Sequence, residues 1–151
     1  MNSMDIRTQI ENDIKEAMRA KDELRKNTLR MALSELKLAE IDKGSPLDEQ
    51  AQFALLQKEI KSRQEAIADA EKAGRGDIVD SSQAEIAILE SYLPKQLTPN
   101  ELEEMARLAI SEAGATSARE MGQVMKILVS RLQGRASGND ASQVVRRLLG
   151  A

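Results

Sequence analysis

Apolar residues recur along this chain at intervals of three and four, in runs broken by glycine, proline and short polar clusters. That period sets one side chain per turn on a common face and predicts helices rather than strands. Ile6, Ile10, Ile14 and Met18 make the first stripe, opened by Ser3 or Asp5 as cap. Asp22 is placed to cap a second helix that carries Leu24, Leu29, Leu33 and Leu36 inward and ends at Gly44. Ser45 or Asp48 restarts the chain into a long helix with Phe53, Leu56, Ile60 and Ile67 on its apolar side. Gly74-Arg75-Gly76-Asp77 interrupts it. Asp77 is the expected cap of a fourth helix whose inward side is Ile78, Ile86, Leu89 and Leu93.

Pro94 then stops the helical run, because proline lacks the N–H and disfavours helical geometry in the residue before it. Thr98-Pro99-Asn100-Glu101 starts a new one, with Thr98 as cap, Pro99 in the first turn and Glu101 bonding back. Three shorter helices follow. The first turns Leu102, Met105, Ala106 and Ala109 inward and stops at Gly114. The second opens on a Ser117/Glu120 capping box, carries Met121, Val124, Met125, Leu128 and Leu132, and ends at Gly134. The third begins at Ser137 or Asp140 and carries Val144, Val145, Leu148 and Leu149. The predicted fold is all-α. An N-terminal domain over 1–95, a helical bundle or paired hairpins of about four helices, precedes a three-helix domain over 98–151.

Composition narrows the chemistry. The chain has 151 residues, no cysteine and no histidine. Disulfides, thiolate metal sites and the side chain most used for proton transfer near neutral pH are therefore missing. No cofactor and no metal are expected, and no catalytic residue is assigned. An enzyme would have to rely on carboxylates, Lys, Arg, Ser or Tyr92, and the adjacent acids Glu103 and Glu104 point in different directions on a helix. No apolar run is long enough to span a bilayer and no secretory signal is evident. The cytosol is the expected compartment, with no membrane partner. Residues 1–97 carry 15 Lys/Arg against 19 Asp/Glu, and residues 98–151 carry 7 against 6. A basic carboxy-terminal end on an acidic chain hints at an anionic partner or is simply a solvated face.

Several residues break the pattern. Arg63 falls where the third helix should be apolar, so it needs a carboxylate, and Glu85 or Glu90 on the next helix can supply one. A structural ion pair is the simpler reading; a ligand site is the other. Gly122 lies inside a helix at a cost of about 1 kcal/mol relative to alanine, so it has a use. Close packing of a neighbouring helix is the favoured one. The alternative is approach of a nucleic-acid backbone, with Lys126 on the same face. Gly134-Arg135-Ala136-Ser137-Gly138 is either a turn or a phosphate-holding loop, and Arg146-Arg147 on the last helix can join it.

The ordered set Ala20-Lys21-Asp22, Leu29-Arg30-Met31, Lys61-Ser62-Arg63-Gln64, Ala73-Gly74-Arg75, Glu85-Ile86, Tyr92–Leu97, Met121–Met125 and Gly134-Arg135-Ala136 resembles the GatB/YqeY family, nearest its stand-alone YqeY branch. The resemblance covers nearly the whole chain. It implies a two-part all-α protein whose second part is similar to the tail domain of the B subunit of glutamine-dependent tRNA amidotransferases, a domain that contacts tRNA. The family label, carbon–nitrogen ligase with glutamine as amido donor, belongs to a larger domain that nothing here matches. The expectation is a non-catalytic protein of translation that binds tRNA or other structured RNA, and not DNA. Gly122, Lys126, Arg131, Gly134, Arg135, Arg146 and Arg147 would carry that binding. The alternative is a helical module docking on an amidotransferase or aminoacyl-tRNA synthetase.

Overall fold

The structure, a computed structural model, describes residues 5–150. Among them the fold is all-α, and the chain divides between Leu93 and Pro94 into two units, each with its own core. The first unit contains α1 (Ile6–Arg19), α2 (Glu23–Lys43), α3 (Glu49–Lys72) and α4 (Gly76–Glu90). Asp5 occupies the cap position of α1 but does not cap it; its carboxylate instead accepts from Gln52 Nε2 at 3.0 Å. Ser3, the other candidate, lies outside the described residues. The chain turns from α1 to α2 at Lys21, which adopts φ +55°. Asp22 caps α2 through the Arg25 N–H, and Asp48 caps α3 through the Ala51 N–H.

Ile10, Leu29, Leu36, Leu56 and Leu89 are fully buried and form the centre of this unit. Leu24 does not join them and is 38% exposed, because it lies away from the side of α2 that Leu29 and Leu36 turn inward. Asp77 is not the cap of α4 either. The helix starts at Gly76 with Arg75 in the cap position, and both Asp77 oxygens accept from the Arg75 guanidinium, at 3.1 and 3.0 Å. That hydrogen bond holds the Asp77 carboxyl below its ordinary pKa. Near the end of α4, the Tyr92 hydroxyl donates to Asp13 of α1 and ties the carboxy-terminal end of the unit to its first helix.

The second unit contains α5 (Pro99–Ala113), a 3₁₀ turn over Ala118–Glu120, α6 (Met121–Leu132) and α7 (Gly138–Leu148). Thr98 and Glu101 form a reciprocal capping box with Pro99 in the first turn, and Gly114 closes α5 in the left-handed conformation. Ser117 makes no such box. Glu120 accepts from the Thr116 N–H and hydroxyl instead, and the short 3₁₀ turn precedes α6. Ser137 caps α7 through the Asp140 N–H. Ala106, Ala109, Val124, Leu128, Ala141 and Val145 are fully buried, so small residues on α5 and α7 let the helices close on α6.

The residues before Thr98 belong to this unit. The Leu97 N–H donates to the Arg135 carbonyl at 2.8 Å, and Arg135 Nε donates to the Lys95 carbonyl at 3.0 Å. Gln96 Nε2 bridges the carbonyls of Pro94 and Gly134, both at 2.8 Å. Lys95, expected with the first domain, is thus held by the α6–α7 turn.

Candidate functional site

α6 presents two contrasting sides. Val124, Leu128 and Leu132 are buried, while Gly122 and Lys126, one turn apart, are exposed on the opposite side. A Cβ built on Gly122 meets nothing within 4 Å. Close packing of a helix, the reading the sequence favoured, is therefore not seen among the described residues of its own unit. The backbone at Gly122 is open, with an ammonium a turn away.

The other basic residues are distributed differently. Arg131 pairs with Glu112, and Arg147 pairs at 2.8 Å with Glu103, which also meets Arg107 at 3.7 Å. The hydrogen bond from Arg147 holds the Glu103 carboxyl below its ordinary pKa, and the one that Arg131 donates to Glu112 raises the pKa of Arg131. Glu103 and Glu112 stand about 13 Å apart along α5, so Arg131 and Arg147 are anchored near opposite ends of that helix. Within α6, Lys126 and Arg131 are separated by roughly 140° around the axis, and in α7 Arg146 and Arg147 by roughly 100°. Lys126 and Arg146 are exposed and take no part in an ion pair among the described residues.

Gly134 is buried and has φ +80°. Its carbonyl receives Gln96, so its left-handed turn receives the segment before α5 rather than lying open to a partner. Arg135 uses its backbone and its Nε in the same clasp. Gln96 had not been singled out in the sequence. Its signal was a polar side chain set between Pro94 and Leu97, where two turns of backbone leave carbonyls in need of a donor.

Arg63 is 8% exposed. Its Nε donates to Glu85 at 3.1 Å, and its Nη1 donates to the Glu59 carboxylate at 2.9 Å and to the Glu59 carbonyl at 3.1 Å. Nη2 lies 3.3 Å from Met31 Sδ. Glu90 is exposed and is not a partner. Glu59 went unnoticed in the sequence, although its four-residue spacing to Arg63 is the signal of an intrahelical pair. Two carboxylates around one guanidinium make an internal ion-pair group.

Elsewhere, a cleft of about 260 Å³ is lined by Asp5, Arg7, Leu36, Glu40, Leu47 and Gln52. Gln52 Oε1 is buried there without a donor. That oxygen exposes almost no surface, so a molecule in the cleft does not reach it. Among the described residues no group of three or more acids could hold a metal ion, and no helix is long and apolar enough to cross a membrane. The second unit exposes Leu108 of α5 and Val129 of α6.

The sequence profile of the YqeY-like protein family matches residues 7–149. Among curated proteins, the chain is 40% identical over 101 residues to a Lachancea thermotolerans protein named Altered inheritance of mitochondria protein 41, mitochondrial, covering 66% of this chain and 54% of the relative. The protein of that name from Kluyveromyces lactis is 44% identical over 84 residues, covering 55% and 45%. The one from Pyrenophora tritici-repentis is 30% identical over 142 residues, covering 92% and 78%. The chain thus spans about half the length of the first two relatives. These names correct the expectation of a cytosolic protein, since the relatives are named as mitochondrial. With a profile match over residues 7–149 and a relative 30% identical over 92% of the chain, the chain belongs to the family of YqeY-like proteins.

Proposed function

We propose that this chain is a non-catalytic helical protein that binds structured RNA, tRNA foremost, through its second unit. The observation that carries the reading is the open side of α6, where Gly122 bares the helix backbone and Lys126 stands one turn on. A glycine inside a helix costs about 1 kcal/mol relative to alanine, and no described neighbour in its unit closes on it. A sugar–phosphate backbone approaching that side would use both features, the absent Cβ for distance and the ammonium for charge. The charge balance supports it: from Pro94 onward 8 Lys/Arg meet 6 Asp/Glu, against 14 and 19 before it.

Arg146 adds a second exposed cation. Arg131 and Arg147 are held in exposed pairs of the weak kind, from which a phosphate can draw them. None of these groups reads a base edge, so recognition rests on shape and charge. The test is titration of labelled tRNA with the full chain at low and at physiological salt. Affinity should fall with salt by a logarithmic slope of about 0.7–0.9 per phosphate neutralised. Lys126→Glu and Gly122→Leu should each weaken binding while helicity is unchanged. No binding at low salt, or binding indifferent to both substitutions, removes the proposal.

A further inference from the structure

α2 is apolar on two opposite sides. Leu29, Ala32 and Leu36 fill the core of the first unit. On the far side Leu24, Met31, Leu38 and Ile41 remain 38%, 53%, 54% and 74% exposed, Met31 touching Arg63 through its sulfur while the rest of its side chain faces outward. Leu24, Met31 and Leu38 follow one another by seven residues, and Ile41 follows Leu38 by three. These are the a and d positions of a heptad, with Asn27 and Ser34 on the remaining d positions. A helix in a folded unit that keeps such a seam toward water lacks a partner.

The charges beside the seam identify that partner. Arg30 and Lys37 fall on g positions, and Glu35 and Asp42 on e positions. All are exposed, and none takes part in an ion pair among the described residues; Arg30 reaches Met18 Sδ at 3.8 Å. In a parallel helix pair, g of one chain meets e of the following heptad in the other. Arg30 then meets Glu35 of a second copy, and Lys37 meets Asp42, each pair being formed twice by the twofold axis. In the antiparallel arrangement g meets g, which sets Arg30 against Lys37 and repels.

We infer that the occupant of this face is a second copy of the same chain, its α2 lying parallel and in register with this one. Asn27 and Ser34 thin the apolar seam at two d layers, so the dimer forms with concentration rather than permanently. The inference is independent of RNA binding, which uses the other unit.

Sedimentation equilibrium of the full chain from micromolar to millimolar concentration tests it. The mass should rise from one chain to two. Ile41→Asp should hold it at one chain with the helical circular dichroism unchanged, since Ile41 contributes nothing to the core. Lys37→Glu and Asp42→Lys should each weaken the dimer by about tenfold, and an equimolar mixture of the two variants should recover it, because their pairs are again opposite in sign. A single-chain mass at every concentration overturns the inference. So does an association that Ile41→Asp leaves intact, or a mixture that fails to recover.

Discussion

Arg63 shows how one residue can hold three helices in register. Its guanidinium spans α3 and α4 through Glu59 and Glu85 and rests on Met31 of α2. Removing it leaves two partly buried carboxylates facing each other. Arg63→Met should destabilise the first unit by about 3 kcal/mol, the low end for a broken buried pair because both acids keep some water; urea unfolding measures it. Tyr92 is the single tyrosine of the chain, so its titration is readable without interference. Burial first, then the hydrogen bond to Asp13, raise its pKa above the ordinary 10. Folding favours the neutral hydroxyl, so its contribution is complete below pH 10 and is lost as pH rises through the raised folded value. Tyrosinate absorbance should appear well above pH 10 in the native chain and return to the ordinary range in urea. Arg63 stood out in the sequence because it interrupted an apolar stripe. The Tyr92–Asp13 bond did not, since its partners lie on the first helix of the unit and in the turn after its last, 79 residues apart.

At the scale of elements, two glycines should respond to alanine in opposite directions. Gly122 has an ordinary helical backbone and open space around it, so Gly122→Ala should raise stability by up to about 1 kcal/mol. Gly114 ends α5 at φ +65°, where a Cβ is strained, so Gly114→Ala should lower it by about 1 kcal/mol. Thermal unfolding of both variants checks the pair, and equal signs would contradict this account of the glycines. Caps were legible where the competition was local: Thr98, Asp22, Asp48 and Ser137 each reach an N–H three residues on. They were misread where another side chain won. Arg75 took Asp77, Gln52 took Asp5 and Thr116 took Glu120. The periodicity of α2 was read as one inward face because a helix with two apolar sides shows the same spacing as a helix with one.

For the molecule as a whole, the clasp of Gln96, Leu97 and Arg135 decides where the second unit begins. A fragment over 94–151 should melt about 10 °C above one over 98–151, which loses those hydrogen bonds and the packing of Leu97 on the core. Calorimetry of the two fragments compares them directly. The same unit should weaken in acid. Glu101 is held below its ordinary pKa of 4.5 by the Thr98 N–H, and Glu103 is lowered by Arg147. Their contribution is therefore complete above pH 4.5 and is lost as pH falls through the lower folded values. An acid titration of helicity should show the 94–151 fragment losing structure only below that ordinary value.

Sequence alone determined what depends on near neighbours: the helical period, the break at Pro94, the capping box after it, the absence of cysteine and histidine, and the ordered segments that mark the family. Three-dimensional contact decided the rest. It buried Gly134 under Gln96, tied Arg131 and Arg147 to separate carboxylates of α5, added Glu59 to Arg63 and left one side of α2 facing water. The reason is physical. Period and capping are set by atoms within a turn or two of one another, whereas the partner of a long charged or amide side chain is set by whichever distant donor or acceptor the folded backbone brings within about 3 Å.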